Sequence, residues 1–324
     1  MGKEREESLK AAVLHMPGEA PRFEEFPEPT PEQGEVLVRV KAAPLTNLSK
    51  MRANGTPQFP VVCGVNGVGL LEDGTRVYCG GCRPPYGMMA ERAIVSRSEC
   101  IPVPDEIDDL TAAALPNAAL ASWLALVFRA QFQPGESVFI LGATGVSGKL
   151  AILVARQLGA ERVVAAGRNQ AILATLTDLG ADAVISLNQS DQTLTEMVAN
   201  EAAHHPCDII LDFLWGHPAE VVMGALTRPA FQGEASRIRF VSIGEMAGST
   251  ASIPAAVLRS CGLEISGSGG GSIAREAIYD TFPQIFALAA QGKLRMDIDP
   301  VPLAEVENAW QSQDTPGRRL VFLP

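Results

Sequence analysis

Ser137-Val-Phe-Ile-Leu-Gly-Ala-Thr-Gly-Val-Ser-Gly-Lys-Leu-Ala151 is the stretch whose reading decides the fold. Val138 to Leu141 is an unbroken apolar run. A strand of that kind is buried on both faces, as in a parallel sheet covered by helices. A Gly-rich turn follows, and the apolar spacing after it predicts a helix over 145–158. Such a turn lets backbone come close to a diphosphate, while the helix N-terminus offers free N–H groups and a positive dipole end. Read as Ala143-Thr144-Gly145-Val146-Ser147-Gly148, the turn carries Ala where the dinucleotide fingerprint has its first Gly. The plain alternative is a tight structural turn; the strand before it and the helix after it favour nucleotide binding.

The same alternation continues on the C-terminal side. Strands are expected over 162–166, 183–186, 208–212, 238–243 and 263–266, with helices over 170–179 and 193–203. Repeated β-α-β units make an open, doubly wound parallel sheet, the Rossmann arrangement. In that arrangement an acid about 20 residues past the turn binds a ribose 2′-hydroxyl, whereas Arg accommodates a 2′-phosphate. The second strand here ends Gly167-Arg168-Asn169 without an acid. Arg168 is therefore the expected phosphate partner, and NADPH the expected dinucleotide. Ligands bind outside the carboxyl ends of such strands, which adds Asp212-Phe213-Leu214, Ser242-Ile243-Gly244 and Gly267-Ser268-Gly269.

On the N-terminal side the pattern changes. Short β-branched runs over 10–15, 35–42, 61–71, 75–79 and 91–95, punctuated by Pro and Gly, suggest a small barrel-like β domain. A chain of 324 residues exceeds what one core sustains, about 250–300 residues, so two domains are expected. The first covers 1–119 and is completed by 287–324, since the last strand, 320–323, reads as returning to it; the second covers 120–286. A helix is expected over 274–291 and a short one near 304–310. The apolar stretch 112–130 is interrupted by Pro116, Asn117, Ser122 and Arg129, and reads as a buried helix rather than a bilayer span.

Composition narrows the partners. Lys plus Arg number 26 against 37 Asp plus Glu, a net charge of −11, which argues against a nucleic-acid binder. Six Cys do not make a disulfide scaffold at this length, and the charged residues before Leu9 read as a solvated lead without a secretory h-region. A reducing cytoplasm fits these features.

The chain resembles the medium-chain dehydrogenase/reductase superfamily, and within it the zinc-free quinone oxidoreductases. The resemblance runs from about Lys10 to Pro324. It is carried by Pro60-Val-Val-Cys-Gly-Val-Asn-Gly-Val-Gly69, Pro85-Tyr-Gly-Met-Met-Ala-Glu91, Ala112-Ala-Ala-Leu115, the Ala143–Gly148 turn and Gly317-Arg-Arg-Leu-Val-Phe-Leu-Pro324. It implies a GroES-like β-barrel domain plus a Rossmann domain. It also implies that Thr144, Gly145, Val146, Ser147, Gly148, Gly167, Arg168, Asn169, Phe213, Ile243, Gly244, Gly267 and Ser268 contact the dinucleotide. Zinc-dependent relatives place Cys at the position of Thr46 and His-Glu at Val65-Asn66, so no metal is expected. Cys79 and Cys82 read as ordinary thiols in a short loop. Tyr or His stands near Leu187 in many relatives to meet the 2′-phosphate; Leu cannot, which leaves that task to Arg168 together with Asn169.

Without a Lewis acid, the accessible chemistry is hydride transfer to a double bond activated by a carbonyl, as in a quinone or an enone. A neutral hydrogen-bond donor then stabilises the charge that builds on oxygen. Candidates are Asn47 (with Ser49 in the same loop), Asn66, Tyr86 and Ser122. Each has a plainer role as a turn cap, packed ring or helix residue. Two alternatives stand beside this one: an enoyl-thioester reductase, and a non-catalytic NADPH-binding sensor. A homodimer through the edge strand 263–266 is expected, because an exposed edge must be paired or covered.

Overall fold

A computed structural model describes residues 8–227, 237–311 and 317–324. The charged lead therefore falls almost entirely outside the described residues. In chain order the first elements are β1 (Ser8–Leu14), β2 (Arg22–Pro27), β3 (Glu35–Pro44), α1 (Asn47–Asn54), β4 (Val61–Val62), β5 (Asn66–Leu70), β6 (Arg76–Gly80), β7 (Arg92–Ser96), β8 (Ile101–Pro102) and α2 (Asp109–Leu124). Then come β9 (Ser137–Leu141), α3 (Val146–Leu158), β10 (Arg162–Gly167), α4 (Gln170–Leu173), β11 (Ala183–Ser186), α5 (Asp191–His204), β12 (Ile209–Asp212) and α6 (Gly216–Ala225). The chain closes with β13 (Ile238–Ser242), α7 (Ala255–Ser260), β14 (Leu263–Gly267), α8 (Arg275–Ala290), β15 (Asp297–Pro302), α9 (Val306–Gln311) and β16 (Arg318–Leu323).

These elements form two compact units, Met1–Pro116 with Phe286–Pro324, and Asn117–Ile285. In the second unit all strands are parallel and ordered β11-β10-β9-β12-β13-β14. The order reverses between β9 and β12, which is where such sheets bind ligands. Both of these strands are buried along their whole length, as their apolar runs require. Phe139, Leu141, Ile210 and Phe240 pack one core with helix residues such as Leu194 and Val222. The helix expected over 170–179 is interrupted: α4 stops at Leu173, and a 3-10 turn covers Leu176–Leu179. Between them the Thr175 hydroxyl donates to the Ile172 carbonyl at 2.8 Å, taking up a helical acceptor.

The first unit is β-rich, with a sheet β2-β1-β4 and a larger one ordered β15-β16-β3-β5-β6-β8, β7 pairing with β3. Its C-terminal strand pairs with β3 through Val321 opposite Pro44 and Phe322 opposite Ala43, and Phe322 is fully buried. The single strand expected over 61–71 is two strands. Gly64 separates them with φ +99°, and a Cβ there would lie 2.6 Å from the Met89 nitrogen. Asn47 and Ser49, read as loop residues, belong to α1, because the Thr46 hydroxyl caps it by accepting from the Ser49 N–H at 2.9 Å. Arg319 is buried and donates to the Leu45 carbonyl at 2.8 Å, while Arg318 pairs with Asp299. Among the described residues, one helical stretch, Asp109–Arg129, is long and apolar enough to cross a bilayer, and 67% of its most apolar window is buried inside the protein.

Candidate active site

The turn after β9 is built by close backbone approach. The N–H groups of Gly142 and Ala143 both donate to the Ala166 carbonyl, at 2.9 and 2.8 Å, which ties the turn to β10. Gly142 takes φ +96°, so the tight-turn glycine is Gly142 rather than the position of Ala143. The sequence signal was present, one residue upstream of the fingerprint as read. Gly148, on the first turn of α3, admits no side chain: a Cβ would sit 2.3 Å from the Gly142 carbonyl oxygen.

Gly145 differs. Its φ is −81°, and a Cβ on it would meet protein only at an ordinary 3.5 Å, from the Gly142 oxygen. Nothing in the chain's own packing calls for glycine there. It is the N-cap of α3, it provides no side-chain cap, and the N–H groups of Val146 and Ser147 have no partner among the described residues. A bare helix N-terminus fronted by a missing side chain fits a diphosphate. Thr144 packs on Gly167, where a Cβ would lie 2.4 Å from the Thr144 methyl.

At the end of β10, Arg168 is exposed, and its guanidinium has no partner among the described residues. Its carbonyl accepts from the Asn188 amide at 2.7 Å, which braces the backbone there. Asn169 is engaged locally: its Oδ1 accepts from the Ile172 N–H and caps α4. Leu187 packs against the core of the sheet, and its N–H donates to the Gly167 carbonyl.

The ends of β12, β13 and β14 are bound to one another. Phe213 N–H donates to Leu141 O, Ile243 and Gly244 N–H donate to Asp212 O, and Ser268 N–H donates to Ser242 O. A Cβ on Gly244 would lie 2.7 Å from the Phe213 carbonyl. The Asp212 carboxylate is fully buried and accepts from the N–H groups of Leu214 and Trp215 at 2.8 and 3.1 Å. It holds a turn in which Trp215, a non-glycine residue, takes φ +53°. The sequence reading placed Asp212 at a strand end but gave no sign of this bracing role, which needs the left-handed turn to be seen.

In the β-rich unit a cleft of about 300 Å³ is lined by Ser49, Arg52, Cys63, Val65, Cys82 and Tyr86, among others. Ser49 is buried, with its hydroxyl 2.9 Å from that of Thr46. Tyr86 stands edge-on to Phe26, ring centroids 5.9 Å apart. Asn47 is exposed on α1 and does not line the cleft. Asn66 follows Val65 into β5; it is 5% exposed, and neither Oδ1 nor Nδ2 has a hydrogen-bond partner. In the other unit, the Ser122 hydroxyl on α2 is likewise fully buried and unpartnered. An unpaired buried polar group costs about 1–3 kcal/mol, so these two positions are not explained by packing. Burial pushes the Cys63 and Cys82 thiols up to about 12. Cys79 lies in β6, within the strand run expected over 75–79.

A bare helix N-terminus at the switch point of this strand order, in a chain that also carries a β-rich unit closed by its own C-terminal strand, matches the two-unit architecture of dehydrogenase/reductase structures. No protein-family model matches the chain. It is 26% identical to the "Probable NADPH-dependent quinone reductase tdiC" of Emericella nidulans over 94% of this chain and 96% of that one. It is 26% identical to the trans-enoyl reductase pgmF of Aspergillus terreus, over 50% of this chain and 42% of that one. The quinone oxidoreductase of Thermus thermophilus, solved alone and with NADPH, superimposes with a TM-score of 0.78 at 28% identity, covering 97% and 100% of the two chains. The quinone oxidoreductase of Pseudomonas syringae pv. Tomato DC3000 shares the fold, with a TM-score of 0.82 at 23% identity over 98% and 100%. The chain is thus a homologue of the quinone oxidoreductases of the medium-chain dehydrogenase/reductase superfamily.

Burial pushes the Asp212 carboxyl from its ordinary value of 3.8 up to about 6, against the pull of its N–H partners. The stability that its protonated form contributes is complete below pH 3.8 and is lost as pH rises through about 6. Asp212→Asn keeps an acceptor and removes the titration. Urea melts should show wild type losing about 2 kcal/mol relative to the variant between pH 4 and pH 7. A difference that stays constant with pH contradicts the assignment.

Proposed function

We propose that this chain is an NADPH-dependent oxidoreductase that transfers hydride to a quinone or another α,β-unsaturated carbonyl without zinc. The observation that carries the reading is Gly145, a glycine that the protein's own packing does not need, at an uncapped helix N-terminus. The similarity to a named NADPH-dependent quinone reductase over nearly the whole of both chains supports it. The similarity to a trans-enoyl reductase supports the enoyl double bond as the alternative acceptor, reached by the same hydride step.

The unit carrying the parallel sheet is the cofactor domain in this reading, and the β-rich unit the substrate domain. Val146 and Ser147 N–H groups and the α3 dipole hold the diphosphate, with Thr144, Gly145 and Gly148 shaping the approach. The unpaired Arg168 guanidinium takes the 2′-phosphate, and Gly167 and Asn169 fix the backbone that presents it. Phe213, Ile243, Gly244, Gly267 and Ser268 border the ribose and nicotinamide. The bound dinucleotide supplies the hydride. The Asn66 amide, buried without a partner, is the leading donor to the carbonyl oxygen on which charge develops, with Asn47, Tyr86 and Ser122 as further candidates. Solvent delivers the proton.

Zinc has no evident ligands here. The Thr46 hydroxyl is spent on capping α1, Val65 is apolar, and Asn66 provides neither thiolate nor imidazole. Among the described residues no three His, Cys, Asp or Glu side chains cluster closely enough to hold an ion. We place the protein in the cytoplasm, as its composition suggests.

The proposal extends to a homodimer joined through β14, which lies at the edge of the six-stranded sheet. Ser268 N–H donates inward to Ser242 O, so by the alternation of a parallel strand the N–H of Ile265 faces the open edge. Pairing of two such edges about a two-fold axis satisfies both copies.

Three outcomes are expected. Steady-state assays with a panel of small quinones should show NADPH oxidation that survives exhaustive chelation; abolition by chelation with rescue by Zn²⁺ contradicts the zinc-free reading. Arg168→Ala should weaken NADPH by ~1–3 kcal/mol, the scale of a lost charged hydrogen bond, and leave NADH nearly unchanged. Equal losses for both dinucleotides contradict the phosphate role. Light scattering at micromolar protein should give about twice the 34.3 kDa chain mass, and Ile265→Pro should split the dimer; a wild-type mass of one chain refutes the interface.

A further inference from the structure

Three of the six cysteines lie together in the β-rich unit, and the zinc-free reading gives them no task. β6 and β8 run antiparallel, with Val77 opposite Pro102 and Tyr78 opposite Ile101. Cys100 precedes β8 in extended backbone, φ −84° and ψ 114°, so the register carried one step further sets Cys79 against Cys100. The Val103 N–H donates to the Arg76 carbonyl at 3.0 Å, which makes 76/103 and 78/101 the hydrogen-bonded pairs. By that alternation Cys79/Cys100 takes the place of a non-hydrogen-bonded pair, the closer kind, whose Cα atoms are typically about 4.5 Å apart with side chains on one face. That spacing falls inside the range of about 4.4–6.8 Å that a disulfide spans.

The Cys100 thiol donates to the Ser96 carbonyl at 3.7 Å, and the two thiols are near enough to shift each other's acidity. Donation from Cys79 lowers the Cys100 thiol below its ordinary value, with help from Arg97 and against Glu99 and partial burial. Cys79 is raised by the same contact and by its burial. Cys100 is half-buried and so reachable by a small oxidant, whereas Cys79 is 1% exposed. An accessible acidic thiol beside a buried partner is the arrangement of an oxidisable pair. Cys82, three residues on from Cys79, is pushed up to about 12 and packs against the core, which leaves it the poorer nucleophile.

We propose that Cys79 and Cys100 are a reversible thiol-oxidation site that forms a cross-strand disulfide with hydroperoxides. The Cys100 thiolate attacks a peroxide oxygen; the O–O bond breaks, the leaving hydroxide takes a proton, and Cys100 becomes a sulfenic acid. The Cys79 sulfur then attacks the Cys100 sulfur. The S–S bond forms, the S–O bond breaks, and hydroxide leaves with the Cys79 proton as water. Two thiols and one hydrogen peroxide give one disulfide and two waters, and a dithiol reductant reverses the change. The bond locks the end of β6 one residue before the Gly80–Cys82 turn, whose Gly81 and Cys82 line the cleft. The inference does not rest on the quinone-reductase reading, since it concerns thiols and is read by mass.

The test treats the full, reduced chain with hydrogen peroxide, then alkylates it in denaturant and measures intact mass and peptide maps. Reduced protein should take up six alkyl groups, one per cysteine; oxidised protein should take up four, and a linked peptide pair should carry Cys79 and Cys100. Dithiothreitol should restore six. Cys100→Ser should abolish the link and Cys82→Ser should leave it intact, with far-UV circular dichroism confirming that each variant is folded. Because the wild-type peptide map identifies the bond directly, the result does not depend on any variant folding. Six reactive thiols after treatment, a link that includes Cys82, or Cys100 carried to sulfinic acid without a link would each overturn the proposal.

Discussion

The contact between Gly148 and the carbonyl of Gly142 is the constraint on which the parallel-sheet unit depends. A methyl group there would stand 2.3 Å from an oxygen that belongs to backbone and cannot rotate away. Only because this position is bare does α3 start against the end of β9, with its first N–H groups facing outward at the strand-order reversal. The turn is also tied to β10 by two N–H donors on one carbonyl, that of Ala166, so β9, β10 and α3 are fixed together. The β12 and β13 ends are then drawn in by Phe213, Ile243 and Gly244 through backbone bonds. One rigid backbone rim results, and side chains add selectivity to it rather than build it.

Much of this was legible from the residues. The apolar run at β9 has the same bounds in sequence and structure, because a strand buried on both faces leaves an unambiguous signal. Arg168 at the end of β10 was legible from its spacing alone. What escaped was local hydrogen-bond chemistry. Thr46 turns an expected loop into α1, Thr175 divides an expected helix, and Gly64 divides an expected strand. Each is one side chain or one missing side chain competing with the regular ladder, and periodicity does not register it. Cys100 escaped for another reason: its nearness to Cys79 comes from strand register, which is a long-range property.

Some residues that break the rules of a satisfied interior are site candidates; others, Arg239, Ser260 and Arg319, are not. Asn66 and Ser122 bury polar atoms without partners, Asp212 buries a carboxyl, and Trp215 holds a left-handed backbone. A structure optimised for stability alone would replace them with apolar or glycine residues. Asn66, next to the cleft-lining Val65, and Ser122, on α2, each keep buried polar atoms that no protein group meets. Unlike Asn66 and Ser122, the Asp212 carboxylate has its partners within the protein, the Trp215 N–H among them, so its role is to brace the rim.

The central claim is that the bare N-terminus of α3 exists for a dinucleotide, and Gly145→Ala tests it most directly. The backbone there accepts a side chain, since φ is −81° and the nearest contact is an ordinary 3.5 Å. Calorimetric titration of NADPH into the folded variant should show affinity reduced about tenfold or more, a loss of at least about 1.4 kcal/mol, with an unchanged thermal melt. Unchanged affinity in the variant would contradict the account.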